Sequence, residues 1–332
     1  MSVASPSRAT RSRRWCLAGL LCSGLLPAVA AGPAPVPDPT AWLARLNAAA
    51  SGQNYRGTMV YTAAGIVSSS RVAHVAAGGE VLERVEALDG HQHRVYRRND
   101  TVRTVWPHKQ LVVVEQRAAS NALVSTRRSV EPRALAHYSL VPAGHSVVAG
   151  RRAQVMLLQP RDDLRFAQRL LADEATGLLL RADVLDSAGQ TLESSAFSEV
   201  QIGGAADMRA VLDGMEPAGY TVLPSRREVV DWAAQGWRMR QDVPGFDLVG
   251  CLQRPAVAGP GGQALQAMFS DGLSFVSLFI EPYSEHAHRG ALAAQMGATH
   301  TVMQRVGDHW ITAMGDVPRR TLERFVDALS RR

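Results

Sequence analysis

Lysine is nearly missing from this chain. Lys109 is the only one, so arginine supplies almost all of the 36 basic residues. Cysteine is also scarce, at three residues, Cys16, Cys22 and Cys251, which excludes a disulfide-stapled scaffold. The familiar catalytic signatures are absent too. No Gly-x-Ser-x-Gly elbow, Walker loop, dinucleotide fingerprint or His-Glu-x-x-His occurs. No catalytic residue can therefore be named, no enzyme is expected and no cofactor is implied. The longest apolar run, Trp15 to Leu26, is too short for an ordinary membrane span.

That run follows Arg8, Arg11, Arg13 and Arg14 and precedes Pro27-Ala28-Val29-Ala30-Ala31. Charged, apolar and then small residues make the order of a cleavable secretory signal, here residues 1–31. Ser12-Arg13-Arg14 gives a partial twin-arginine look, with Cys16 where an apolar aromatic belongs, so the export route stays open between two pathways. Cleavage removes four arginines and no acid, which leaves 32 basic against 30 acidic residues and lowers the formal charge from +6 to +2. Such a balance demands no nucleic acid. It also removes two cysteines, and Cys251, between Gly250 and Leu252, reads as a small core residue.

Residues 32–39 form a Pro/Gly/Ala tether. Thr40 can cap a helix that turns Trp42, Leu43 and Leu46 to one side and ends at Gly52. From Tyr55 to about Gln116 the pattern alternates between strands and turns such as Asp89-Gly90 and Asn99-Asp100. A second meander follows over Arg165–Asp173, Leu178–Asp186 and Thr191–Ile202. The expectation is a mixed α+β chain, mainly antiparallel β. Residues 40–204 would be a large, curved, half-open barrel-like sheet, 205–225 a linker, and 226–332 a small α+β domain closed by a helix with Leu322, Phe325, Val326 and Leu329 on one face.

In the second domain, Phe269-Ser270-Asp271-Gly272-Leu273 places Asp-Gly between apolar runs, the signal of a two-residue type I′ hairpin joining Gln263–Ser270 to Leu273–Glu281. The second strand is apolar on both faces: Leu273, Phe275 and Phe279 on one, Val276, Leu278 and Ile280 on the other. Two covers are needed, the C-terminal helix and a neighbouring domain or partner chain. If the domain is packed on both faces, Phe275→Asp and Val276→Asp should both unfold it; if one variant stays folded but loses the partner, its face is the interface. Phe269, Asp271, Leu273, Phe275, Val276 and Phe279 are the partner-binding candidates.

The first domain offers arginines at 84, 94, 97, 98 and 103. Arginine forks suit phosphate, and with Tyr55, Met59 and Tyr61 as an apolar floor, Arg84, Arg94 and Arg97 are candidates for a lipid or phosphate groove. The plainer account is a solvated sheet face interleaved with Glu80, Glu83 and Glu86. His91-Gln92-His93 could share a strand face, but without a third ligand it makes no metal site, and Asp162-Asp163 read as solvated turn acids.

Several stretches resemble one family: Trp42-Leu43-x-x-Leu46, Asn54-Tyr55-Arg56-Gly57-Thr58-x-Val60-Tyr61, Arg71-x-x-His74, Leu88-Asp89-Gly90, Phe279-Ile280-Glu281 and Met314-Gly315-Asp316-Val317-Pro318. In order and over nearly the whole mature chain, they look like the MucB/RseB family of periplasmic regulators of the sigma-E (AlgU-like) envelope-stress response. The resemblance implies a lipoprotein-carrier-like large domain and a small partner-binding domain. It also implies binding to the periplasmic segment of a membrane-spanning anti-sigma factor, protection of that segment from the site-1 protease, and release by lipopolysaccharide or a related lipid. A homo-oligomer is left open. The rival reading is a periplasmic lipid or lipoprotein carrier, for which the large domain alone would suffice.

Overall fold

The computed structural model describes residues 38–116, 130–205, 207–225, 227–255, 262–288 and 290–331. The signal, tether residues 32–37 and most of the Gly259–Gly262 loop lie outside them. Asp38 opens the first helix, α1 (Pro39–Gly52), by accepting the Ala41 amide at 2.9 Å, and Pro39 takes the first turn. The cap is thus Asp38 and not Thr40, and the expected tether gives up Pro39 to the helix.

Six strands follow: β1 (Tyr55–Ala63), β2 (Ile66–Ala77), β3 (Glu80–Ala87), β4 (Arg94–Arg98), β5 (Thr101–Trp106) and β6 (Leu111–Gln116). Next come β7 (Tyr138–Val148), β8 (Arg151–Pro160), β9 (Ala167–Asp173), β10 (Leu179–Leu185) and β11 (Thr191–Ile202), then α2 (Met208–Leu212) and β12 (Thr221–Pro224). All twelve strands form one sheet, ordered β12-β6-β5-β4-β3-β2-β1-β11-β10-β9-β8-β7, and only β12 runs parallel to its neighbour. The sheet curls far enough for Val148 at the end of β7 to pack in one cluster with Met59 and Phe197 near its middle.

The second lobe contains β13 (Glu228–Val229), β14 (Trp237–Met239), β15 (Asp247–Pro255), β16 (Gln263–Ser270), β17 (Phe275–Pro282), β18 (Leu292–Met296), β19 (Thr299–Val306), β20 (His309–Gly315), α3 (Arg319–Ala328) and β21 (Leu329–Arg331). Seven of these strands make an antiparallel sheet ordered β13-β15-β16-β17-β20-β19-β18, and β14 pairs with β21. The helix α3 lays Leu322, Phe325 and Val326 on Val276, Leu278, Ile280, Ile311 and Ala313. That is the stripe its i, i+3, i+4 spacing predicts.

The Asp-Gly turn differs from expectation. Asp271 keeps a negative φ while Gly272 adopts +93°, and Ser270 pairs with Phe275, so the loop has four residues, 271 to 274, and Leu273 leaves the strand. The cause is the Asp271 carboxylate, which accepts the amides of Leu273 at 2.9 Å and Ser274 at 2.7 Å and so builds a wider turn. A Cβ at Gly272 would come within 3.0 Å of Arg133 Cγ, so glycine serves here for space as well as for conformation.

This loop is the plug between the lobes. Leu273 sits in the concave core of the large sheet with Trp42, Leu43, Leu46, Tyr138, Met156 and Leu170. The exchange is mutual, because Leu164, in the bend between β8 and β9, sits in the small-lobe core with Phe246, Phe269 and Phe325. A second turn, at the end of β18, brings Ala298 against Phe166 and Val184 of the large lobe. The stretch 205–225, read as a linker, is also built in: Val211 of α2 packs on Val75 and Leu82, and Met215 and Tyr220 pack with Tyr96, Val105 and Val112.

Leu164→Ala and Leu273→Ala should each lower stability by about 2–5 kcal/mol, read from urea unfolding. Val276 is fully buried beneath α3 whereas Phe275 is 42% exposed. Of the two alternatives, the burial favours the one-sided one: only Val276→Asp should unfold the lobe, and circular dichroism of Phe275→Asp should match the parent.

Candidate partner-binding site

Cross-strand neighbours share a face, so the register fixes what lies opposite α3. One row runs Leu252, Gln266, Phe279, Thr312, Met303 and Leu292 across β15, β16, β17, β20, β19 and β18. The next runs Met268, Ser277, Met314, Thr301 and Ala294, with Phe275 at the loop end. Phe275, Met314 and Leu292 are 42%, 40% and 56% exposed, so this face is open and mainly apolar. Three flexible methionines give it the adaptability that suits a partner surface. The Arg254 guanidinium lies 5.4 Å above the Phe279 ring and adds a cation at one side. Beyond it a cleft of about 480 Å³ separates the lobes, lined by Val113, Glu115, Leu223, Arg227 and Arg254 and crossed by an Arg227–Glu115 ion pair at 3.1 Å.

Of the six partner-binding candidates, Phe275 and Phe279 belong to this face. Phe269 and Val276 lie in the core under α3, and Leu273 lies in the large-lobe core. Asp271 is fully buried in the joint between lobes. Its carboxylate accepts from Arg165 Nε at 2.8 Å and from the Tyr138 hydroxyl at 3.1 Å, besides the two loop amides. Arg165 also donates to the Pro244 carbonyl at 2.7 Å and to Asp162, and its guanidinium lies 4.8 Å from the Phe246 ring centre. Burial, followed by the Asp271 charge, pushes the Tyr138 phenol far above its ordinary value, which keeps it a donor. Asp162 and Asp163 are exposed in the bend, as expected of turn acids, and also pair with Arg165 and Arg320.

The groove candidates are divided by strand parity. Tyr55, Met59, Tyr61 and Arg97 point to the concave face, while Arg84 and Arg94 point to the convex one. Tyr55 and Met59 are packed with Ala49, Val72 and Phe197, so they make core and not an open floor. On the convex face Glu86 receives Arg84 at 2.9 Å and Arg94 at 3.0 Å. Burial raises the Glu86 carboxyl, but the Arg94 and Arg84 bonds outweigh this and hold it below its ordinary value. Between this face and α2 lies a cavity of about 380 Å³, lined by Arg56, Arg71, Arg84, Glu86, Asp207 and Val211 among others. Cys251 is buried, and burial with the Asp231 charge raises its thiol. No group of three potential metal ligands occurs among the described residues.

Sequence reasoning missed Met268, Met303 and Met314. Their signal was alternation on three neighbouring strands, and it becomes legible only with the register. Arg165 and Tyr138 carried no signal, because they lie 106 and 133 residues from Asp271.

Residues 38–215 match the profile of the MucB/RseB N-terminal domain and residues 231–330 that of the MucB/RseB C-terminal domain. The sigma factor AlgU regulatory protein MucB of Pseudomonas aeruginosa is 33% identical over 311 residues, covering 92% of this chain and 94% of the relative. The chain belongs to the MucB/RseB family. The sigma-E factor regulatory protein RseB of Haemophilus influenzae is 26% identical over 289 residues, 86% of this chain and 88% of its own length. A crystal structure of MucB in complex with MucA(peri) superposes with a TM-score of 0.68 at 28% identity, covering 89% of this chain and 99% of that one. A Pseudomonas aeruginosa MucA/MucB complex gives 0.70 at 28% identity over 88% and 98%. MucB/RseB proteins are regulatory binding proteins and not an enzyme family.

Two measurements test the geometry. Asp271→Ala should cost about 3–5 kcal/mol by stranding Arg165, and the double variant Arg165→Met/Asp271→Leu should recover only the part due to the stranded guanidinium, because the Leu273 and Ser274 amides stay unmet. Because Glu86 titrates lower in the folded chain than unfolded, its stabilisation is present above its unfolded value and is lost as pH falls through its depressed one. The urea midpoint of Glu86→Gln should therefore fall less steeply between about pH 5 and pH 2 than that of the parent.

Proposed function

We propose that this MucB/RseB chain is a periplasmic negative regulator that binds the periplasmic segment of a membrane-spanning anti-sigma factor. The observation that carries the reading is the match, over almost the full length of both chains, to MucB in complex with MucA(peri). The small lobe supplies a fitting surface. Its open face of Leu252, Met268, Phe275, Phe279 and Met314, with Arg254 beside it, suits an apolar segment that carries an acid. Bound there, the segment would be withheld from the site-1 protease.

The large lobe is the proposed sensor of a phosphorylated amphiphile such as lipopolysaccharide. The cavity beside Arg56, Arg71 and Arg84 supports that role, since guanidinium groups gather at an opening of about 380 Å³. No observation favours the carrier alternative, whose concave apolar face is here filled by α1 and Leu273. Deleting residues 215–332 would also strip Leu273 from the large-lobe core, so point variants separate the readings better than truncation does.

Titration of the mature chain with the periplasmic segment of its cognate anti-sigma factor should give saturable binding, and Phe279→Asp should weaken it about tenfold or more, ~1.4 kcal/mol, with an unchanged fold. Binding absent at tens of micromolar would refute the reading.

A further inference from the structure

Sulfur is unevenly placed in this chain. Of its ten methionines Met1 falls in the expected signal, and four of the other nine, Met268, Met296, Met303 and Met314, lie on the open face of the small sheet. Met268 and Met314 stand on either side of Ser277, whose side chain is too short to screen them. Met303 shares the row of Phe279, and Met296 the side of Leu292 on β18. Met314 and Met296 are 40% and 54% exposed, and Met268 and Met303 are half-buried. Methionine commonly fills gaps inside a core, the use made here of Met59 and Met156. None of the four on the face packs into a core cluster among the described residues.

An exposed thioether is also a nucleophile. In the expected mature chain the remaining thiol is Cys251, which is buried. Burial, followed by the Asp231 charge, raises that thiol and keeps it in the unreactive protonated form. The accessible sulfur is therefore methionine sulfur, gathered on the surface where the proposed function seats the anti-sigma segment. Sulfoxide formation turns a flexible apolar side chain into a polar one. An apolar segment laid over it would bury an S=O group without a matching donor.

We propose that these four methionines are an oxidant-sensitive modification site, at which a two-electron oxidant of the hypochlorous acid class forms sulfoxides that lower the affinity of the open face for its partner. The inference rests on the proposed function for that partner and adds a redox route of release. The thioether lone pair attacks the chlorine of hypochlorous acid, and hydroxide leaves. Water then adds to the chlorosulfonium sulfur, chloride departs, and one of the two protons shed neutralises the hydroxide. Sulfur thus loses two electrons and gains one oxygen, chlorine becomes chloride, and one proton is released. Reversal takes a dithiol, as in the methionine sulfoxide reductases, which supplies two electrons and two protons while the oxygen leaves as water.

The mature chain is given graded hypochlorous acid, the excess is quenched, and oxidation is read by peptide mass spectrometry beside titration with the periplasmic anti-sigma segment. Met314 and Met296 should oxidise ahead of the buried Met59 and Met156. Circular dichroism should stay that of the parent, and segment binding should weaken about tenfold or more. Methionine sulfoxide reductases with dithiothreitol should restore it. The variant Met268→Leu/Met296→Leu/Met303→Leu/Met314→Leu, a set of volume-conserving changes, should bind like the parent and be indifferent to oxidant, although Met208, 39% exposed on α2, still oxidises. Met314→Gln should weaken binding without any oxidant, which keeps the proposal open to refutation if the fourfold variant does not fold. Unchanged binding by the oxidised parent, or an equal loss in the fourfold variant, would overturn the proposal. Oxidation of Met59 or Met156 ahead of the face would overturn it too. An unoxidised parent that does not bind the segment would refute the proposed function instead, and the order of oxidation would still decide whether the face is a modification site.

Discussion

Two leucines, each buried in the core of the lobe it does not come from, are the constraint on which the rest of the molecule depends. Leu164 and Leu273 cross in opposite directions, and the residues next to them, Arg165 and Asp271, form the ion pair that seals the crossing. A buried pair is useful only if every polar atom is met. Here the Asp271 carboxylate takes bonds from a guanidinium, a phenol and two amides, while Arg165 also reaches Asp162 and Pro244. The apolar exchange supplies the driving force, and the ion pair fixes the geometry. Neither lobe has a complete core without the other.

The joint also determines which surface is left over. Because the hairpin tip is spent on the large lobe and α3 covers one face of the small sheet, the opposite face is the one left available to a partner. Its apolar residues are spread over several strands and include flexible methionines, so it is adaptable and not shaped to one side chain. That property accords with a family of regulatory binding proteins.

Much of this was legible in the chain. The alternation in β1, the second meander of β9–β11, the apolar stripe of α3 and the motifs from Trp42 to Tyr61 pointed to the antiparallel architecture and to the family. What failed did so for identifiable reasons. Asp-Gly promised a two-residue turn, but the Asp271 side chain bonds forward to the loop and widens it. The strand β17 is apolar on both faces, and periodicity cannot say which face a helix takes. Arg94 and Arg97 were grouped as one groove although their parity within β4 puts them on opposite faces, a signal that was present and unused. The Arg165–Asp271 pair joins distant parts of the chain through tertiary structure alone.

The segment between the lobes has a further mechanical meaning. It is a strand at both ends: Thr221 and Ser225 are bonded into the large sheet, while Glu228 and Val229 are bonded into the small one. Such a strap cannot swivel freely. To reorient the lobes, the chain must first peel hydrogen bonds from one sheet edge, and that motion belongs to local melting, on microseconds and slower, instead of to the rapid bending of a loop. The strap thus adds a strand four residues long to the leucine exchange and the ion pair that already hold the lobes together.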